Sequence, residues 1–219
     1  MAVRVLAGCV VVLLAAGVAP ATAAAGPRDP KRELRPAEQA LAKRIVLRAS
    51  DLPGSGWHAS RSSPSSSGFS CPGFEPDMSD LTEYGHASSP DFDRPDAYVS
   101  SNAGVFSTAA QGRTAYGRVA RPGLADCLSR VFAQGIGGQA KVAIVAKGRL
   151  AFPGLGDRSS AYRLVVRVTS GKQTVGAWLD VVLLNRARVD VAMIFVGIGR
   201  PFAAADEQRL ARTVTGRIP

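Results

Sequence analysis

The carboxy-terminal half of the chain alternates between apolar and polar positions. This alternation is typical of β-strands, because successive side chains of a strand point to opposite faces. It predicts strands over residues 142–152, 162–168, 175–184 and 189–198. Short polar segments separate the last three strands and are typical of hairpin turns. We therefore expect a carboxy-terminal antiparallel meander of three to four strands.

Four other segments have the apolar spacing or the alanine-rich composition of helices. These predicted helices cover residues 34–45, 108–119, 122–134 and 202–215. Gly216 follows the last of them, where glycine commonly ends a helix. Helices are thus expected at both ends of the domain and in its middle.

Two further short strands are predicted at 82–92 and 97–107, around a turn at 93–96. A serine-rich segment at 60–70 is predicted to be a loop. Strands grouped in this way, with helices before, between and after them, favour the α+β class. We expect one twisted antiparallel sheet with helices packed on it, forming a single domain over residues 34–219 after a polar linker at 26–33.

The amino-terminal segment has the three parts of a secretory signal peptide. Arg4 precedes an apolar run over residues 5–19, and Pro20 ends that run. Small residues follow, so that cleavage is expected after Ala23 or Ala25. The run is shorter than the roughly 20 residues that a membrane span needs. We therefore interpret residues 1–25 as a cleaved signal, with no stable membrane span afterwards; an uncleaved anchor is the alternative.

Three cysteines are present, and they have different expected fates. Cys9 resembles a lipidation site, but most of the apolar run follows it, so we expect it to be lost with the signal; a lipoprotein is the alternative. Cys71 and Cys127 then form an even pair in an oxidising compartment, where a disulfide is expected. A free reactive pair is the alternative. No metal site is expected, because His58 and His86 lack ligand spacing relative to the cysteines.

The chain is basic, with 27 Lys and Arg against 17 Asp and Glu and a formal net charge of +10. Such a charge favours anionic partners, for example membrane surfaces, wall polymers or acidic ligands. Arginine provides most of the charge, so codon usage is an equally simple explanation. Nucleic acid is not expected as a partner of an exported chain without aromatic residues among its basic motifs.

No constellation typical of an enzyme is found. His58 and His86 are the candidate bases, and neither lies in a nucleophile motif, so both are interpreted as surface or structural residues. Carboxylates cluster at 75–83 and again at 91–96. The second cluster alternates as in a calcium loop but lacks its glycine and its final glutamate. We predict no catalytic residue, no metal and no cofactor.

One pair of strands brings together residues that suit a ligand. If the loop at 170–173 has four residues, Arg163 lies opposite Asp180 and Val165 opposite Trp178. One sheet face then carries the four candidate ligand-binding residues, which are Arg163, Arg167, Trp178 and Asp180. This face is interpreted either as a solvated surface with one ion pair or as one wall of a groove. Tryptophan beside arginines suits a small amphipathic or anionic ligand.

Three short motifs carry a family resemblance: Leu-x-x-x-Asp-Leu-Pro-x-x-Gly-Trp at 47–57, Leu-Ala-Asp-Cys-Leu at 124–128, and Gly-Asp-Arg at 156–158. With the order of elements, they resemble actinobacterial secreted sensor-like domains, similar to the extracellular domain of PknH-type serine/threonine kinases. The resemblance implies a sheet and helices that form a ligand-binding cleft, without catalytic activity.

The sequence therefore favours a secreted, non-enzymatic ligand-binding or sensor-like domain of the bacterial cell envelope. One alternative is an envelope structural or protein-interaction factor that uses its basic surface. Another is an enzyme of unrecognised type. A deep pocket with apolar walls would favour the first, a flat basic face the second, and a histidine meeting a serine and a carboxylate the third.

Overall fold

The computed structural model describes residues 26–61, 71–136 and 140–219. In this part of the chain the strands are β1 (Lys31–Arg32), β2 (His58–Ser60), β3 (Thr82–Ser88), β4 (Asp91–Arg94), β5 (Ala97–Phe106), β6 (Lys141–Leu150), β7 (Arg158–Ser170), β8 (Gln173–Arg186) and β9 (Val189–Ile198). The α-helices are α1 (Pro36–Ile45), α2 (Ala109–Val119), α3 (Gly123–Ile136) and α4 (Ala204–Thr215).

The predicted signal, with Cys9, Ala23 and Ala25, lies outside the described residues. So does most of the loop predicted at 60–70. Across the described ranges, no helix has both the length and the apolar character needed to cross a membrane.

The nine strands form one sheet, and seven of them lie in the order β1-β3-β5-β9-β8-β7-β6. The other two strands, β4 and β2, lie on the same side of β5 as β3. Strands β4 and β3 pair with the same edge of β5, β4 along its first half and β3 along its second half. Strand β2 pairs with β4. All neighbours are antiparallel except β1 and β3. The predicted α+β class is confirmed. The sheet is not wholly antiparallel, because residues 31–32, expected in the linker, add a short parallel strand.

Both faces of the central strands are covered, because their alternate residues are apolar on both sides, whereas most of the edge strand β6 is exposed. On β9, Met193 and Phe195 pack toward α1 and α4, whereas Ala192 and Ile194 point toward α2 and α3. Fully burying one large apolar side chain stabilises the fold by about 1.5–3 kcal/mol. Two apolar layers therefore hold the helices on opposite sides of the sheet.

The strand predicted at 82–92 is divided into β3 and β4 at Ser89 and Pro90. Proline has no backbone N–H for the ladder, and the Ser89 hydroxyl accepts a hydrogen bond from the backbone N–H of Ser101 at 2.9 Å. The turn also shifts, because β4 continues to Arg94, which pairs with Ala97. The two-residue turn at 95–96 replaces the predicted turn at 93–96.

Cys71 and Cys127 are joined by a disulfide with a Cα–Cα distance of 5.7 Å. Both residues are buried, and Cys127 lies on α3. The bond ties the chain before β3 to the helix layer on one face of the sheet. This arrangement fits the pairing expected from the sequence.

Candidate functional site

A cavity of about 140 Å³ lies between α2 and the strands β3, β5, β9 and β8. Its walls are mainly apolar. The apolar lining residues include Met78, Phe106, Ala115, Val119, Leu183 and Ala192. Two carboxyl groups and one imidazole also line it, those of Glu83, Asp190 and His86. We call these three the ionisable end of the cavity. An apolar pocket with a few convergent polar groups is the usual form of a small-molecule site.

A β-bulge brings Glu83 and His86 to the same face of β3. Residues three apart on a regular strand point to opposite faces. Here the register with β5 shifts between Glu83 and Gly85, and the extra residue reverses the alternation. His86 Nδ1 consequently lies 3.0 Å from Glu83 Oε1.

Gly104 of β5 makes room for the Glu83 carboxylate. A Cβ atom at position 104 would lie 2.7 Å from Glu83 Oε1, closer than such atoms normally approach. The same glycine pairs with His86 on one side and with Asp190 on the other. Because Gly104 has no side chain, the space above it is open to the side chains of β3 on one side and of β9 on the other.

The Glu83 carboxylate and the His86 backbone are held by residues from outside the cavity. Arg32 Nε of β1 donates to Glu83 Oε2 at 3.3 Å. The Gln39 side-chain amide of α1 accepts from the His86 backbone N–H at 2.9 Å and donates to its carbonyl at 2.6 Å. Glu83 is 3% exposed, so its charge is almost fully removed from water. A buried carboxylate requires such partners.

Asp190 is held by the hairpin between β8 and β9. Asn185 is paired with it in the ladder, and Asn185 Nδ2 donates to Asp190 Oδ1 at 2.6 Å. Burial raises the pKa of Asp190 to about 8; the hydrogen bond from Asn185 opposes this effect, and the Glu83 charge adds to it. Asp190 keeps some accessible surface, and it lines the cavity. Near neutral pH, this carboxyl is mostly protonated and can donate a hydrogen bond.

The pairing predicted for the sheet face at 163–180 is confirmed. Arg163 pairs with Asp180 and Val165 with Trp178. Arg163 Nε and Nη2 donate to the two Asp180 oxygens at 2.7 and 2.6 Å. Asp180 is only 1% exposed, however, because α4 covers this part of the face.

Glu207 of α4 lies beside this ion pair and is also 1% exposed. Burial, together with hydrogen bonding and charge from the neighbouring Asp180 carboxylate, raises the pKa of Glu207 to about 9, and the charge of Arg163 opposes this effect. A protonated Glu207 can donate to Asp180. The three residues Arg163, Asp180 and Glu207 thus form a buried polar cluster between sheet and helix.

The other two predicted residues are more accessible than Asp180. Arg167 is exposed, and Trp178 is partly buried on the same face. The structure thus brings the four predicted residues onto one face but divides them into a buried ion pair and a more open part. Their role in binding a ligand stays a prediction.

The sequence pattern does not predict the cavity. It leaves His86 as a surface or structural residue and Glu83 as a member of the carboxylate cluster at 75–83. Asp190 lies inside the strand predicted at 189–198 and belongs to no motif. The one sequence signal for the cavity is the carboxylate of Asp190, which stands between Val189 and Val191 in an apolar strand. Within the described ranges, no group of three His, Cys, Asp or Glu side chains is placed to hold a metal ion.

A comparison with solved structures finds the crystal structure of the extracellular domain of PknH from Mycobacterium tuberculosis. The two are 13% identical with a TM-score of 0.40, over 82% of this chain and 95% of that chain. The comparison returns the class of domain that the sequence motifs indicated. No family model matches the chain, and no curated protein matches it. At this TM-score the likeness carries nothing about a ligand, which has to be inferred from the residues of the cavity.

Proposed function

We propose that this chain is a secreted, non-enzymatic ligand-binding domain of sensor-like type at the bacterial cell envelope, and that its ligand occupies the cavity under α2. The observation that carries the proposal is an apolar cavity with ionisable groups gathered at one end. Export is supported by the signal-like residues 1–25 and by the disulfide, because disulfides persist in oxidising compartments.

The residues of the cavity favour binding over catalysis. A hydrolytic site that works through a covalent intermediate would need a side-chain nucleophile within reach of a base. The described lining contains no serine, threonine or cysteine. The hydroxyl of Tyr116, whose ring lines the cavity, donates to Ser160 at 2.7 Å. His86 Nδ1 faces Glu83, so its position is explained by that contact.

Native mass spectrometry of the protein secreted by its own host tests the proposal. The wild type should carry an additional small mass. Ala192→Phe should lose it, because a phenyl ring would occupy a cavity of about the size that holds benzene. Ile194→Phe is the matched control, since Ile194 lies two residues along the same face and outside the cavity lining. Retention of the mass by Ala192→Phe, or its absence from the wild type, would contradict the proposal.

The face with Arg167 and Trp178 is the alternative place for the same ligand. Its exposed arginine and accessible indole suit an anionic or amphipathic group. The experiment distinguishes the two places. Loss of the mass in Trp178→Ala with retention in Ala192→Phe would assign the ligand to this face.

A further inference from the structure

We propose that the cavity binds a small amphipathic cation, with an ammonium group between Glu83 and Asp190 and an apolar body against Phe106, Val119 and Leu183. This inference rests on the proposed function and specifies the chemistry of its ligand.

The size of the cavity limits the apolar body to about one aromatic ring. An engineered protein cavity of about 150 Å³ with apolar walls binds benzene, and this cavity measures about 140 Å³. Away from the ionisable end, most of the lining side chains from α2 and from the strands beneath are aromatic or aliphatic. A ligand with a longer polar chain would have to leave buried polar groups without partners, which is costly.

Charge at the ionisable end favours a cation over an anion. Arg32 lies against Glu83 and balances its charge. An ionised Asp190 has no cation of its own at this end: its described side-chain hydrogen bond is to the neutral Asn185. One ammonium group would supply the missing charge and donate hydrogen bonds to carboxylate oxygens. An anion would instead add a negative charge beside two carboxyl groups, which is unfavourable in a buried site.

Proton exchange follows from the same geometry. The groups facing Asp190 are Glu83 and His86 from β3, Arg32 behind them on β1, Asn185 from β8 and Tyr116 from α2. When the cation binds, the Asp190 carboxyl releases its proton to the solvent and becomes a carboxylate. Because burial raises the pKa of Asp190 to about 8, affinity for the cation should rise about tenfold per pH unit up to that value.

Nuclear magnetic resonance titration with three probes of equal size tests the ligand class: benzylammonium, benzyl alcohol and benzoate. Benzylammonium should bind most tightly, shift the amides around Gly104 and Ala192, and gain about tenfold in affinity from pH 6 to pH 7. Asp190→Asn should weaken it about thirtyfold or more at pH 8 and remove the pH dependence. Asp126→Asn is the matched control, because Asp126 is exposed on α3 and paired with Lys147.

Calorimetry of the wild type in two buffers of different ionisation enthalpy counts the released protons, so the inference does not depend on a variant that folds. Near pH 7, binding of benzylammonium should release close to one proton. Equal affinity for benzyl alcohol, tighter binding of benzoate, or no proton release would refute the cation while leaving the cavity as a site. If none of the three probes perturbs the cavity amides, both the cationic ligand and the proposed binding function of the cavity are refuted.

Discussion

Replacing Asp190 by asparagine should flatten the dependence of the protein's stability on pH. In the folded state burial raises the pKa of Asp190 to about 8, whereas in the unfolded chain an aspartate titrates near 3.9. Between those values the folded state holds one more proton than the unfolded state. The free energy of unfolding therefore falls as pH rises, by about 1.4 kcal/mol per pH unit.

The window of about pH 5.5 to 7.5 lies inside this range, so Asp190 should account for a fall of roughly 2–3 kcal/mol across it. Asparagine has no proton to lose and keeps nearly the same shape. The difference in unfolding free energy between the two pH values should therefore be smaller by about that amount in Asp190→Asn. Glu207 contributes a fall of the same sign to both proteins, so its effect cancels in the comparison.

Urea unfolding with the disulfide intact, followed by tryptophan fluorescence, provides the measurement. Asp126→Asn serves as the control. The hydrogen bond from Lys147 lowers the pKa of Asp126 below its ordinary value, so the stability it contributes is lost only in acid, below the window. If Asp190→Asn and the wild type show parallel pH profiles, Asp190 is ionised in the folded protein and the reasoning about the cavity is wrong.

Three further results are expected. Glu207→Gln should also flatten the pH profile between about pH 5.5 and 7.5, because the raised pKa of Glu207 acts in the same direction; an unchanged slope in urea unfolding would refute this. Replacing both Cys71 and Cys127 by serine should lower the free energy of unfolding by about 4 kcal/mol, the chain-entropy value for a closed loop of this length, and a loss below about 1 kcal/mol in urea would contradict it. Gly104→Ala should cost about 1–3 kcal/mol, because the methyl group meets Glu83 Oε1, and chemical shifts of the cavity residues should change with it; wild-type shifts would show that the carboxylate lies elsewhere.

Local patterns were sufficient for the hairpin between β7 and β8. Alternation and the turn residues set its register, so the pairing of Arg163 with Asp180 followed from the sequence. The burial of that pair did not follow. It depends on α4, whose Glu207 reaches the sheet from a segment that no local pattern connects to β8.

The cavity depends even more on distant pairing. Glu83, Gly104 and Asp190 belong to three strands, and the pairing of β5 with β9 joins segments about 90 residues apart. The bulge that turns Glu83 inward reverses the alternation on which strand predictions rely. A sequence pattern that assigns faces by alternation will place Glu83 and His86 on opposite sides, as regular strands require.

The contact between Gln39 and His86 is part of a series of hydrogen bonds that covers the edge of β3. Backbone N–H groups at Lys31, Glu33 and Arg35 donate to carbonyls of residues 81, 83 and 84, and Gln39 completes this series at His86. An open edge strand is a template for aggregation, and here residues 31–39 occupy it. This cover gives the predicted cleavage site a second meaning. Cleavage near residue 25, as the sequence predicts, would leave the cover in place, whereas a chain trimmed past residue 35 would leave the edge of β3 open to strands of its neighbours.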